Sequence, residues 1–321
     1  MMLASFPPQA TRWTSMGRGL IFALLTVLLA AVNILAAASV ASGSVVALDL
    51  LDEMDGEVWD VDAPTALSVD HRGRLYIVDS GRHRVLVVEP DGSVARELGG
   101  YGWDEDSLNH PLDIVVDRGL AIYVLDSGNR RVVEYDVEGN YLGVVLIEEQ
   151  IGNPVGLELG SGGELYVTDA DAQIVRVHSQ FGEPLDPIGS FGGEDGGLVG
   201  PTRIAMGPSR EIAVADPAAA AVWLYDEFGS PLARLTRGEG FAPYDIVFDS
   251  HGDLIVADAR DGSVSVFDRA DARVTASVGR DLMGASALPS GLAIDRMGRL
   301  LVLDGISGGV FTFALEYDTE D

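Results

Sequence analysis

Three short runs decide the fold: Pro111-Leu-Asp-Ile-Val-Val-Asp117, Ala121-Ile-Tyr-Val-Leu-Asp126 and Arg131-Val-Val-Glu-Tyr-Asp136. Each is rich in Val, Ile and Tyr and shows a period of two rather than 3.6, which reads as a strand. Gly-containing pairs punctuate them and their neighbours, among them Ser127-Gly128, Glu138-Gly139 and Asp91-Gly92, the residues that tight turns require. A weaker fourth run precedes the next unit, as in Val94-Ala-Arg-Glu-Leu98.

The unit recurs along the chain. A Pro opens an apolar run at Pro64, Pro111, Pro154, Pro201, Pro243 and Pro289, in steps of 47, 43, 47, 42 and 46 residues. Fifteen residues after each Pro stands an Asp: Asp79, Asp126, Asp169, Asp216, Asp258 and Asp304. Four antiparallel strands every ~45 residues form a propeller blade. The last unit ends with its third strand, Gly309-Val-Phe-Thr-Phe-Ala314, and Ser44-Val-Val-Ala-Leu-Asp-Leu50 stands ready as the missing fourth. Pairing the two would close the ring and remove its exposed edges. The expected fold is therefore all-β: a six-bladed β-propeller of four-stranded antiparallel blades over residues 44–321, closed by the N-terminal strand and preceded by one hydrophobic helix.

These units resemble the NHL repeat. Tyr76-Ile-Val-Asp-Ser-Gly-Arg-His-Arg-Val85, Tyr123-Val-Leu-Asp-Ser-Gly-Asn-Arg-Arg-Val132 and Pro289-Ser-Gly-Leu-Ala-Ile-Asp295 carry the resemblance. Units three to five are looser, with Ile174, Ala221 and Ser263 where the loop Arg stands in the first two. The resemblance implies a six-bladed propeller. It leaves function open, because the family and its relatives include ligand- and protein-binding modules, RNA binders, an amidating lyase and lactonases.

Composition narrows that range. The chain has 321 residues, 21 basic and 50 acidic, for a net charge of -29, and every basic residue is Arg. Phosphate backbones and anionic lipid surfaces are poor partners for such a chain. There is no Cys, which excludes disulfides, thiolate metal sites and a Cys nucleophile. Arg12 and Arg18 precede an apolar run, Leu20 to Ala38, followed by Ser39-Val-Ala41. This is the pattern of a secretory signal. The run is also long enough to span a bilayer, so a signal peptide and an uncleaved anchor both remain open for residues 1–41. Met16 is an alternative start. Either way the body is expected to be periplasmic or secreted, or held at the outer face of the cytoplasmic membrane by residues 19–41, with no other membrane contact.

The repeat itself sorts candidate residues. The six Asp residues of the Asp79 series occur in every blade and read as structural acceptors for loop amides, with Arg84 and Arg131 as their bridging partners. Loops between second and third strands share one face, here called upper, with the inter-blade loops. Two of the latter are long and acidic: Tyr101-Gly-Trp-Asp-Glu-Asp-Ser-Leu-Asn-His110 and Ser190-Phe-Gly-Gly-Glu-Asp-Gly-Gly-Leu-Val-Gly200. Trp103 there is either a contact anchor, with Asp104 beside it, or a residue packed between blades. The inner strands line the central channel. Two residues past each Pro stand Ala66, Asp113, Gly156, Arg203, Asp245 and Gly291, with His110 and Tyr244 close by. Asp113 and Asp245 face each other across the ring. They either hold a hard cation such as calcium through oxygen ligands, or are variants of the blade opening.

An amidating-lyase centre, as the resemblance implies it, needs several histidines at the channel, and only His110 stands at an inner-strand opening. A lactonase centre would draw on Asp113 and Asp245 with Asn109 and Asn153. Gly305-Ile-Ser-Gly-Gly309 matches a nucleophile elbow in letters only, since it joins two strands. The Glu316–Asp321 segment reads as a solvated tail. The reading is a monomeric binding or scaffold module that presents its upper face to a protein, peptide or glycan, needs no cofactor and favours cationic partners. The alternative is a metal-dependent hydrolase or lyase with its site in the channel.

Overall fold

The computed structural model describes residues 44–117, 120–147, 151–190, 196–268 and 271–318. The expected hydrophobic helix and signal or anchor of residues 1–41 lie outside the described residues. Among the described residues no helix is long and apolar enough to cross a membrane.

Six antiparallel sheets are arranged as the blades of a propeller. Blade 1 contains β2 (Pro64–Val69), β3 (Leu75–Asp79), β4 (Arg84–Val88) and β5 (Val94–Gly99). Blade 2 contains β6 (Pro111–Asp117), β7 (Ala121–Asp126), β8 (Arg131–Asp136) and β9 (Tyr141–Ile147). Blade 3 contains β10 (Pro154–Leu159), β11 (Leu165–Asp169) and β12 (Ile174–His178). Blade 4 contains β13 (Ile204–Met206), β14 (Ile212–Asp216), β15 (Ala221–Tyr225) and β16 (Pro231–Leu235), and blade 5 contains β17 (Pro243–Phe248), β18 (Leu254–Asp258), β19 (Val264–Phe267) and β20 (Val274–Val278). Blade 6 is β21 (Pro289–Ile294), β22 (Leu300–Asp304) and β23 (Val310–Tyr317), completed by β1 (Val45–Met54).

In blade 3 the fourth strand is reduced to isolated bridges, Val175 with Ile188 and His178 with Pro184. Pro184 and Pro187 sit in this segment, and a proline cannot donate to a ladder.

The closing strand pairs with β23 from Val45 opposite Tyr317 to Met54 opposite Val310. Glu316 and Tyr317 thus belong to the sheet, which corrects the expectation of a solvated tail there. The Tyr317 hydroxyl donates to Asp249 at 3.0 Å, and the Val45 amide donates to Asp253 at 2.8 Å. Both contacts tie the seam to blade 5. The hydrophobic core is split into slabs between neighbouring blades: Tyr76, Val85 and Leu98 of blade 1 meet Ile114, Val124 and Tyr135 of blade 2, for example.

The Asp series does what the repeat predicts. Asp79 accepts from the Asp62 amide and from Arg84 Nε, both at 2.8 Å. Asp126 accepts from the Asn109 amide and Arg131 Nε, both at 2.7 Å. In blade 3, Arg176 replaces the missing loop Arg and reaches Asp169 at 2.9 Å. In blades 1, 2, 3, 4 and 6 the carboxylate pins the preceding inter-blade loop to its own blade, whereas Asp258 of blade 5 accepts from the Arg260 amide of its own turn. Ser307, in the elbow-like segment, donates to Asp304 at 2.6 Å inside an ordinary turn between β22 and β23.

One backbone feature positions everything at the axis. In blades 1, 2, 3, 5 and 6 the register slips just after the opening Pro, as between Pro64 and Ala66 or Pro289 and Gly291. The residue after each Pro is bulged out of the ladder, so its backbone groups are released from strand pairing. The bulged residues are Thr65, Leu112, Val155, Tyr244 and Ser290.

Candidate functional site

Three layers of polar chemistry follow from that bulge. The uppermost is a plug. Arg203 is 4% exposed. Its guanidinium donates at 2.8 Å to the carbonyls of Thr65 and Leu112, and also to that of Val155. One side chain thus crosses from blade 4 to the bulged residues of blades 1, 2 and 3. The Tyr244 ring lies 5.6 Å from the guanidinium carbon, within cation–π range.

Below the plug are Asp113 and Asp245, from opposite blades. Both approach Arg203 Nε, at 3.8 and 3.9 Å. Inner-strand amides have no further strand on the channel side, and these carboxylates serve them. Asp113 accepts from Ile114 N at 2.9 Å and from Leu157 N of the next blade at 2.7 Å. Asp245 does the same with Ile246 N at 2.9 Å and Leu292 N at 2.6 Å. Burial pushes the Asp245 carboxyl up to about 7 against the pull of Arg203, with Asp113 adding to the rise. Burial also raises Asp113, again opposed by Arg203. All four oxygens are engaged, and among the described residues no group of three His, Asp or Glu side chains has the arrangement of a metal site.

The third layer is a cavity of about 200 Å³ in the lower channel. Glu158 lines it and repeats the Asp pattern one layer down, accepting from Leu159 N at 2.7 Å and from Met206 N of the next blade at 3.4 Å. Burial lifts its carboxyl to about 7. Sequence reasoning passed over Glu158, although residues two and four past the Pro share a strand face.

The upper rim holds the remaining candidates. Trp103 is 70% exposed and does not pack between blades; Tyr101 beside it is 61% exposed. Their rings meet edge-on at 5.2 Å, and His83 lies against Tyr101 at 4.8 Å. His83 and His110 come from adjacent blades and touch, with the His110 amide donating to His83 Nδ1 at 2.8 Å. His110 Nδ1 is 2.8 Å from the Ser80 hydroxyl. Asp104, Glu105 and Asp106 are exposed next to Trp103.

The loop that carries them is firmly held. Arg131 donates to the carbonyls of Asp104 and Ser107 at 2.9 and 2.6 Å, Asn129 donates to that of Gly102 at 3.1 Å, and the Leu108 side chain is fully buried. Trp103 and Asp104 thus stand apart from the channel group of Asp113, Arg203, Tyr244 and Asp245. Part of the second acidic loop, residues 191–195, lies outside the described residues.

No family model and no curated protein sequence matches the chain. Solved structures do. A streptogramin B lyase aligns with a TM-score of 0.63 at 11% identity, covering 83% of this chain and 98% of the lyase. A catalytically inactive virginiamycin B lyase from Staphylococcus aureus, solved with quinupristin, gives 0.62 at 11% identity over 83% and 99%. Hydrazine synthase from Kuenenia stuttgartiensis gives 0.58 at 14% identity over 81% and 97%. At such identities the likeness is one of fold, and the fold hosts different chemistries.

Proposed function

We propose that this chain is an NHL-type binding propeller, acting outside the cytoplasm, that docks a cationic protein or peptide segment on its upper face. One observation carries the reading: a loop pinned by Arg131, Asn129 and buried Leu108 nevertheless holds Tyr101 and Trp103 in water. A folding chain hides large aromatics where it can, and a rigid loop that displays two of them is preorganised for contact. Exposed Trp and Tyr are the residue types on which interface energy concentrates. Asp104, Glu105 and Asp106 flank them, and the net charge of -29 extends the same preference. The extracytoplasmic placement rests on the apolar run of residues 20–38 and its Arg flank.

The test is a peptide panel of matched length and hydrophobicity that varies in charge. Cationic members should bind, binding should weaken with added salt, and Trp103→Ala should weaken it roughly 30-fold, the cost of about 2 kcal/mol typical of a central Trp. Asp104→Ala should lower affinity and flatten the salt dependence. Equal binding of anionic and cationic peptides, or indifference to both substitutions, would sink the reading. A preference for oligosaccharides over peptides would reassign the same surface to glycans.

A further inference from the structure

We infer that a second, separate site on the upper face binds a small neutral molecule, with Ser290 as its hydrogen-bonding contact. The pocket lies where blades 5, 6 and 1 meet at the channel mouth. Its volume is about 170 Å³, and its walls include Ala63, Pro64, Tyr244, Ala259, Leu288 and Gly305. Ser290 also lines it. Among the described residues no carboxylate and no cation does.

The repeat shows what is unusual about Ser290. It is the residue after the opening Pro, the bulged position. Thr65, at the same place in blade 1, donates its hydroxyl to Leu112 O, the bulged carbonyl of the next blade, at 3.0 Å. Thr202, the equivalent in blade 4, shares its hydroxyl between Tyr244 O of blade 5 and Ala215 O of its own blade, each at 3.3 Å. By the same rule Ser290 would donate to Thr65 O of blade 1. It does not: Ser290 is 5% exposed and its hydroxyl has no hydrogen-bond partner among the described residues. Competition is not the cause. Thr65 O accepts from Arg203, but Leu112 O accepts from Arg203 and from Thr65 together.

A buried hydroxyl without a partner is costly in a fold. Ser290 lines an apolar pocket with its hydroxyl oxygen held against Gly305 and closed to water, so a ligand meets that hydroxyl after a turn to another staggered rotamer. Gly305 packs directly against Ser290: a Cβ there would come 2.9 Å from the Ser290 Cβ and 3.0 Å from its hydroxyl oxygen.

The chemistry of the ligand follows from the walls. An apolar cavity of ~150 Å³ accommodates benzene, so this pocket suits a ring or branched body of roughly six carbons. The free hydroxyl asks for one polar atom and accepts either a donor or an acceptor. The lack of a charged wall residue excludes a formal charge on the ligand, since burying one unpaired is prohibitive. Cyclohexanol is a minimal probe, and cyclohexane-sized hydrocarbon without the hydroxyl is its control.

The experiment is a titration of the full-length protein with cyclohexanol, followed by ligand-observed NMR, on wild type, Ser290→Ala and Ala259→Leu. Saturable one-site binding is expected for wild type, about tenfold weaker in Ser290→Ala and abolished in Ala259→Leu, whose side chain fills the pocket. Thermal unfolding without ligand supplies the second readout. Ser290→Ala should leave the melting temperature unchanged or raise it, because no hydrogen bond is lost. A lowered melting temperature would show that the hydroxyl serves the fold, and would overturn the inference. So would the lack of saturable binding to wild type, or equal binding to all three proteins. The peptide panel on Trp103→Ala reads a different surface, so either proposal can fail alone.

Discussion

Replacing Arg203 by Met separates the plug from the charge beneath it. The substitution keeps an unbranched side chain of similar reach and removes the guanidinium. The carbonyls of Thr65 and Val155 then lose this donor, Leu112 O keeps only Thr65, and Asp113 and Asp245 lose the cation they share. Removing one partner of a buried ion pair costs about 3–5 kcal/mol. At about 2 °C per kcal/mol for a domain of this size, the melting temperature should fall by roughly 6–10 °C at pH 8. The sign of the pH effect is fixed by the carboxyls. Both already sit above the ordinary Asp value, Asp245 at about 7. Without Arg203 they rise further, so the folded state holds extra protons relative to the unfolded chain as pH falls. As they take up those protons the charge penalty falls, so the loss at pH 5.5 should be smaller than at pH 8, with about 1–2 kcal/mol from the unmet carbonyls as its floor. Thermal unfolding followed by circular dichroism at pH 5.5 and 8 measures both numbers. Adding Asp245→Asn to Arg203→Met should recover part of the loss at pH 8, the non-additivity expected of coupled groups. An identical loss at both pH values would mean that Arg203 contributes packing alone, and an unchanged melting temperature would refute the plug.

The wild-type protein should itself lose stability as pH rises from 5 to 8. Glu158 and Asp245 are both held at about 7 in the fold, against 4.5 and 3.8 outside it, so each favours the folded state below about pH 4 and loses that contribution as pH climbs through 7. The slope is up to about 1.4 kcal/mol per pH unit per group. Glu158→Gln should remove one group's share, as read from denaturant midpoints at half-unit pH steps. A stability that rises over this window would contradict the burial of these carboxyls. Millimolar calcium should leave the melting temperature unchanged in wild type and in an Asp113→Asn, Asp245→Asn variant alike, because all four carboxylate oxygens already accept amide hydrogen bonds. A calcium-dependent rise lost in that variant would revive a cation site in the channel.

The blades were legible because strand alternation and the Pro-to-Asp spacing are local, repeated signals. Repetition in every blade marks Asp79 and Asp126 as loop pins, with Arg84 and Arg131 as their partners in the first two blades, and the hydrogen bonds bear this out. The juxtaposition of Asp113, Arg203 and Asp245 was also legible, from position after the Pro and blade number. What these residues do there was not. Whether a carboxylate opposite another holds a cation or a pair of amides depends on where the neighbouring backbone points. That direction comes from a bulge that no residue type announces. Trp103 stayed ambiguous for a related reason: an aromatic in an inter-blade loop packs inward or outward according to which neighbour takes the core position. Here Leu108 takes it, fully buried, and Tyr101 and Trp103 are left outside. Glu158 and Ser290 were missed because each looks ordinary within its own blade, and only comparison with the other five sets them apart.

That comparison separates two kinds of departure from the repeat. Asp113, Asp245, Glu158 and Arg203 each replace a smaller or apolar residue at an axial position, and each satisfies backbone groups that the ring geometry leaves over. Arg203 alone meets bulged carbonyls in three blades. A sixfold ring of identical openings would leave such carbonyls converging on the axis with no donor, so some asymmetry is needed to fill it. Departures of this kind are accounted for by folding. Trp103 and Ser290 differ in sign. One exposes a large apolar surface that its rigid loop does nothing to cover, and the other keeps a buried hydroxyl from the partner its equivalents use. Each costs the isolated protein free energy, and neither cost is recovered within the described residues. A cost that the fold leaves unrecovered is what a bound partner can offset. Function in this propeller is therefore to be sought at the rim and in the pocket between blades 5, 6 and 1, rather than at the charged centre that first draws attention.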